Sequence, residues 1–196
     1  MYHPQSILLM KTSSNNNIVR FSYFPAPIKN TIPSAKITLA EAHTYITGDK
    51  AKVFTEQLRI IKDKDPQMAR IYKAAHFDYC TFSGIFSKRS DQALVRHSGF
   101  LCLDFDHLKN LEEVRQWLLN DDYFETQLLF RSPSGDGLKW IINIDISQTT
   151  HADYFRAVAN YLKQTYNIDV DQSGKDVSRA CFLPYDPDCY INPKNL

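Results

Sequence analysis

Apolar positions recur along this chain at helical and strand spacings, and the change between the two predicts its elements. Residues 18–24 read as a strand ended by Pro25 and Pro27. Thr38-Leu-Ala-Glu41 is a capping box, a hydroxyl with a carboxylate three positions on, and predicts a helix to about residue 47. Residues 52–62 carry Val53, Phe54, Leu58 and Ile61 at helical spacing. Asp65-Pro66 opens another helix, with Met68, Ile71 and Tyr72 on one side. Residues 79–82 read as a short strand turned at Ser83-Gly84.

From Gly99 the pattern sharpens. Residues 100–106 form an apolar strand that turns acidic at its end. Asn110-Leu-Glu-Glu113 caps a helix carrying Leu111, Val114, Trp117 and Leu118. Residues 126–130 and 138–146 are strands around the turn Ser132-Pro-Ser-Gly-Asp-Gly137. Residues 150–166 form a long helix with Tyr154, Phe155, Val158, Tyr161 and Leu162 inward, and residues 179–183 a last strand before a tail of turns. The order β-α-β-β-α-β predicts an α+β, ferredoxin- or RRM-like antiparallel sheet, strand order 4-1-3-2, both helices on one face. The organisation expected is a polar leader over 1–17, an N-terminal α/β elaboration over 18–98, and the core over 99–196.

Composition narrows this picture without naming a function. Of 196 residues, 43% are hydrophobic and 23% charged, as in ordinary globular proteins. A net charge of +1 announces no bulk nucleic-acid binder, so any basic footprint is local, best represented by residues 87–97 with Lys88, Arg89 and Arg96. Such a charge run is by default a solvated surface. No stretch reads as a membrane span or signal peptide. Four cysteines without Cys-x-x-Cys spacing suggest neither zinc knuckle nor redox pair and fit a reducing cytoplasm.

Three clusters share one face of the predicted sheet. Asp104 and Asp106 lie two residues apart, on the strand face opposite Leu101, Leu103 and Phe105. Their repulsion and desolvation are both relieved by a divalent cation, although an isolated Asp-x-Asp more often just closes a strand. In the second cluster Ser132, Ser134, Gly135 and Gly137 offer hydroxyls and backbone N–H groups for phosphate, and Lys139 adds a point charge. The third holds Asp169, Asp171 and Arg179. Singly these are a hairpin loop, a surface lysine and a helix–strand connection. Together they are what in-line phosphoryl transfer requires.

The segments Thr81-Phe-Ser-Gly-Ile-Phe86, His97-Ser-Gly99, Leu103-Asp-Phe-Asp-His-Leu108, Ser132-Pro-Ser-Gly-Asp-Gly-Leu-Lys139 and Asp171-Gln-Ser-Gly-Lys-Asp-Val-Ser-Arg-Ala-Cys-Phe182 together resemble the VirE N-terminal domain family. That family occurs in bacterial mobile-element and phage-like proteins, often ahead of helicase or primase-associated regions. It is similar in turn to archaeo-eukaryotic-type primase/polymerase domains. The resemblance, over about residues 19–192, implies a primase-polymerase-like nucleotidyltransferase using two Mg²⁺ or Mn²⁺ ions. Asp104 and Asp106 match its first acidic motif, and Asp171, with Asp169 as the alternative, matches the third. Where the enzymes place a phosphate-facing histidine, this chain has Lys139, and Arg179 matches a triphosphate contact. Implied partners are a single-stranded DNA template, nucleoside triphosphates and helicase or primase-associated domains of a longer protein. The alternative is a catalytically inactive nucleic-acid-binding module of the same fold, touching backbone through Lys88, Arg89 and Arg96. A relaxase ranks third, because its His-hydrophobic-His pair has no counterpart here.

Overall fold

In the computed structural model, which describes residues 18–196, β1 (Phe21–Phe24) pairs antiparallel with β2 (Ala35–Ile37). The leader expected over 1–17 lies outside the described residues. The capping box forms as its spacing requires: Glu41 N–H donates to Thr38 Oγ1 at 3.2 Å, and the Glu41 carboxylate accepts from Thr38 N–H at 2.8 Å. It opens α1 (Leu39–Thr47), followed by α2 (Lys52–Lys64) and α3 (Pro66–His76). Asp65 caps α3 by accepting from the Gln67 and Met68 amides, each at 3.0 Å. The apolar stripe read on α3 is only partly the buried one. Ala69 is buried and Tyr72 half-buried, whereas Met68 and Ile71 are 50% and 56% exposed.

Next come β3 (Tyr79–Thr81) and the hairpin of β4 (Gly84–Phe86) with β5 (Leu94–His97), whose second strand lies within the basic stretch. The second half supplies β6 (Phe100–Phe105), α4 (Leu111–Leu119), β7 (Thr126–Arg131), β8 (Leu138–Asn143) and α5 (His151–Tyr166). Short β9 (Cys181–Phe182) and β10 (Tyr190–Ile191) follow. Asn110 precedes α4 but does not cap it; its amide donates to the Glu113 carboxylate at 3.0 Å.

The α+β class with antiparallel sheets holds, and β6, β8 and β7 lie side by side as strands one, three and two of the expected core. The fourth strand differs. β9 pairs with β3 in a sheet of order β2-β1-β3-β9, and β10 takes the edge beside β7. The free edge of β6 is instead met by a short 3-10 segment after α5, through one bond from Asp171 N–H to the Asp104 carbonyl at 2.9 Å.

Alternation along β6 and β8 then sorts the two cores. Leu101, Leu103, Phe105, Trp140 and Ile142 pack beneath α4 and α5. Phe100 and Ile141 face the other way, into a core shared with Phe21, Cys80, Phe82, α1 and Cys181. The N-terminal sheet therefore covers the inner face of the β6 sheet. Among the described residues all four cysteines are free, and no helix is long and apolar enough to cross a membrane.

Two polar devices tie the layers. The Asp78 carboxylate accepts from Ala26 N–H at 2.8 Å, Tyr45 OH and Lys50 Nζ at 3.0 Å each, and Tyr23 OH. The second is a directed imidazole chain. Gly99 N–H donates to His97 Nδ1 at 2.9 Å, so His97 Nε2–H donates to His151 Nδ1 at 3.1 Å and His151 Nε2–H to the Gly174 carbonyl at 3.4 Å. Burial and the neighbouring His151 hold the His97 pKa down at about 4.

Asp78→Ala strands the Ala26 amide and Lys50, and is expected to cost about 2 kcal/mol in urea unfolding. An unchanged midpoint contradicts that anchor. Because the unfolded chain binds a proton on His97 near pH 6.5 and the folded chain does not until about pH 4, stability is expected to fall across that interval on acidification. His97→Gln is expected to flatten this limb of the stability–pH curve; a curve of the same slope contradicts the chain.

Candidate metal and phosphate site

The β6–β8 register sets Asp104 directly opposite Lys139 on the inner face. Cross-strand neighbours at that position stand close enough to pair. Lys139, almost fully buried, forms an ion pair with Asp104 Oδ2, while Asp104 Oδ1 is buried without a hydrogen-bond partner. Asp106 follows on the same face and is exposed. Asp171 comes from the segment laid along β6, its carboxylate accepting from Ser173 N–H and from Arg179 Nη2 at 3.0 Å each. One carboxylate oxygen from each of Asp104, Asp106 and Asp171 lies within 4.8 Å of the others. Asp169 is exposed and paired with Lys163 at 2.9 Å, apart from this cluster.

Close packing fixes the third acid. A Cβ on Gly174 would stand 2.7 Å from Phe155 Cε2 and 3.3 Å from the Cys102 carbonyl, so only glycine lets this segment lie between β6 and α5. The His97–His151 chain holds the Gly174 carbonyl from the other side.

Burial pushes the Asp104 pKa above the usual carboxylate range; Lys139 opposes this, and Asp106 and Asp171 add to it. Burial works most strongly against the Lys139 ammonium, but the charge and hydrogen bond of Asp104, with Cys181 and Asp106, together outweigh it and the lysine pKa rises. For Asp171 burial is overcome by the Ser173 bonds and the Arg179 charge, and its pKa is lowered. A carboxylate oxygen lacking any donor, beside two more carboxylates, suits a hard divalent cation that takes oxygen ligands.

Asp104 and Asp106 open into a cavity of about 440 Å³ between β6 and the N-terminal sheet, whose other walls include Lys73, Arg89, Ser132, Asp176 and Arg179. The turn beside it departs from the expected cradle. Ser132 N–H donates to the Gly137 carbonyl at 2.8 Å and Gly135 N–H to the Ser132 carbonyl at 2.9 Å, so those donors are engaged within the loop. Gly135 and Gly137 do not line the cavity. Gly137 allows close approach instead, since a Cβ there would meet the Phe105 carbonyl at 2.1 Å. From α2, Arg59 reaches the Pro133 carbonyl at 3.4 Å and Lys62 pairs with Asp136 at 2.7 Å, fixing the loop from outside.

Of the basic stretch only Arg89 reaches the cavity; Lys88 and Arg96 are exposed away from its lining. Lys73 is a cavity residue the sequence reading missed. In the last turn of a helix a lysine reads as a complement to the helix dipole, and nothing in its spacing marks it further.

Residues 72–191 match the family model described as BT4734-like, N-terminal domain, more than half of the chain. That description differs from the VirE name drawn from the motifs. Among solved structures the chain is similar to the polymerase domain from Mycobacterium tuberculosis ligase D in complex with DNA, at 18% identity and a TM-score of 0.37. The likeness covers 61% of this chain and 50% of that one, so it spans about half of that structure's length. No curated protein matches the chain.

Lys139→Met removes the charge paired with the Asp104 carboxylate and is expected to cost about 3–5 kcal/mol of stability. Mn²⁺ is then expected to raise the melting temperature of this variant more than that of the parent. Equal shifts on Mn²⁺ addition would contradict the shared-acid geometry.

Proposed function

The chain belongs to the BT4734-like N-terminal domain family, and we propose that it acts as a primase-polymerase-like nucleotidyltransferase domain of a mobile-element or phage-type replication protein. The observation that carries this reading is the cluster of Asp104, Asp106 and Asp171, one carboxylate oxygen of each within 4.8 Å of the others, in which Asp104 also has a buried, unpartnered Oδ1. Those three carboxylates would hold Mg²⁺ or Mn²⁺, which when bound supplies Lewis-acid activation of phosphate and hydroxyl oxygens. The resemblance of its motifs to those of VirE N-terminal domains supports the same assignment.

In this reading the protein's own groups do the positioning. Lys139 engages Asp104 Oδ2 and leaves the buried Oδ1 without a partner. Arg179 and the Ser173 amide hold Asp171 ionised and in place. A 3′ hydroxyl of a primer, or of an initiating nucleotide on single-stranded DNA, attacks the α-phosphorus of a nucleoside triphosphate, and pyrophosphate leaves. The cavity's apolar wall at Ile28 and Phe182 is suited to a base or sugar face.

A second reading, a catalytically inactive nucleic-acid-binding module, is favoured by one observation. The Lys139 ammonium already occupies one oxygen of the central acid.

Primer synthesis on single-stranded DNA with Mn²⁺ separates the two. Asp106→Asn/Asp171→Asn is expected to lose at least about 100-fold in rate. Undiminished synthesis in that variant removes the proposed site. No synthesis by the parent, with metal-independent binding of single strands, selects the second reading.

A further inference from the structure

Four cations, Lys73, Arg89, Lys139 and Arg179, line the cavity against three acids, Asp104, Asp106 and Asp176. Lys139 is paired with Asp104 and Arg179 with Asp171, but Lys73 and Arg89 also line the cavity. Among the described residues neither has a carboxylate within ion-pair distance. Lys73 leaves the last turn of α3 with its ammonium 5.7 Å from the Phe182 ring centroid. Burial, and then the charge of Lys139, hold its pKa below the ordinary lysine value. Arg89 lies 5.1 Å over the Tyr79 ring, donates to the Ile28 carbonyl at 3.3 Å, and has its own amide bonded to the Thr31 carbonyl at 2.8 Å. Among the described residues its remaining guanidinium donors have no hydrogen-bond partner. Ser132, on the same wall, is 3% exposed and its hydroxyl has no hydrogen-bond partner. An unpaired ammonium, a fixed guanidinium fork and an orphaned hydroxyl are the groups that phosphate oxygens satisfy.

We propose that Lys73, Arg89 and the Ser132 hydroxyl form an anion wall that takes the β- and γ-phosphates of a nucleoside triphosphate, an assignment that rests on the nucleotidyltransferase reading above. Lys139 is left out of this wall because Asp104 already engages it. Two of the three groups come from the N-terminal elaboration, so that segment supplies substrate contacts as well as a cover. Asp104 and Asp106, which line the same cavity, would then face the α-phosphate and its attacking hydroxyl.

The test is binding of inorganic tripolyphosphate and of a fluorescent nucleoside triphosphate to the full chain, first in EDTA and then with Mg²⁺. Lys73→Met and Arg89→Met are each expected to weaken tripolyphosphate binding in EDTA by about tenfold or more, and Lys73→Arg to retain it. Unchanged melting temperatures in these variants exclude misfolding as the cause. Asp106→Asn is expected to spare binding in EDTA and to abolish only the gain from Mg²⁺. Neutral Met variants, with Mg²⁺-dependent nucleotide binding that still needs Asp106, overturn the wall and leave the enzymatic reading standing. Loss in the Met variants, with no Mg²⁺ gain in the parent, supports the wall and overturns nucleotidyl transfer. Full displacement of tripolyphosphate by a short single-stranded oligonucleotide assigns the wall to a nucleic-acid backbone and overturns the proposal.

Discussion

Three carboxylates held within 4.8 Å repel one another, and much of the surrounding structure exists to bear that repulsion. Full charges at such separations cost roughly 3 kcal/mol per pair at protein-surface polarity, and less where water screens Asp106. Lys139 offsets one charge from across the β6–β8 ladder and Arg179 another from beyond the 3-10 segment. One negative charge and one buried oxygen without a donor are left over. A divalent cation would complete that balance and leave the site positive, the sign a polyphosphate needs.

Geometry at this precision comes from backbone constraints. The ladder register makes Asp104 and Lys139 neighbours, and Gly174 lets the Asp171 segment pass between Phe155 and Cys102. Gly137 brings the Ser132 loop onto the end of β6, and α2 braces it through Arg59 and Lys62. The N-terminal sheet then closes over the face that these strands present. With β9 donated to that sheet, the acid strand keeps an open edge for Asp171.

Whatever depends on period and local chemistry was legible in the sequence. Strand parity put Asp104, Asp106 and Lys139 on the face opposite Leu103 and Trp140, and the Thr38 and Asp65 caps start their helices. Whatever depends on which neighbour an apolar segment chooses was not. Cys181-Phe182 reads as a buried strand in any sheet, and only the assembled fold pairs it with Tyr79 and Cys80. The apolar spacing of α3 predicts a helix, but docking against α2 buries Ala69 and leaves Ile71 outside. The choice between Asp169 and Asp171 follows from the Asp171 amide bonding to the Asp104 carbonyl, a contact no spacing encodes. Lys73 became a cavity residue for the same reason, through the placement of its helix over the Phe182 ring.

The most direct measurement is the anomalous scattering of a crystal grown with Mn²⁺ and a non-hydrolysable nucleoside triphosphate. The account predicts a peak coordinated by Asp104 Oδ1, Asp106 and Asp171, with Lys139 still on Asp104 Oδ2. Manganese bound elsewhere, with Asp104 turned toward the helices or Asp171 moved off the β6 edge, would contradict it.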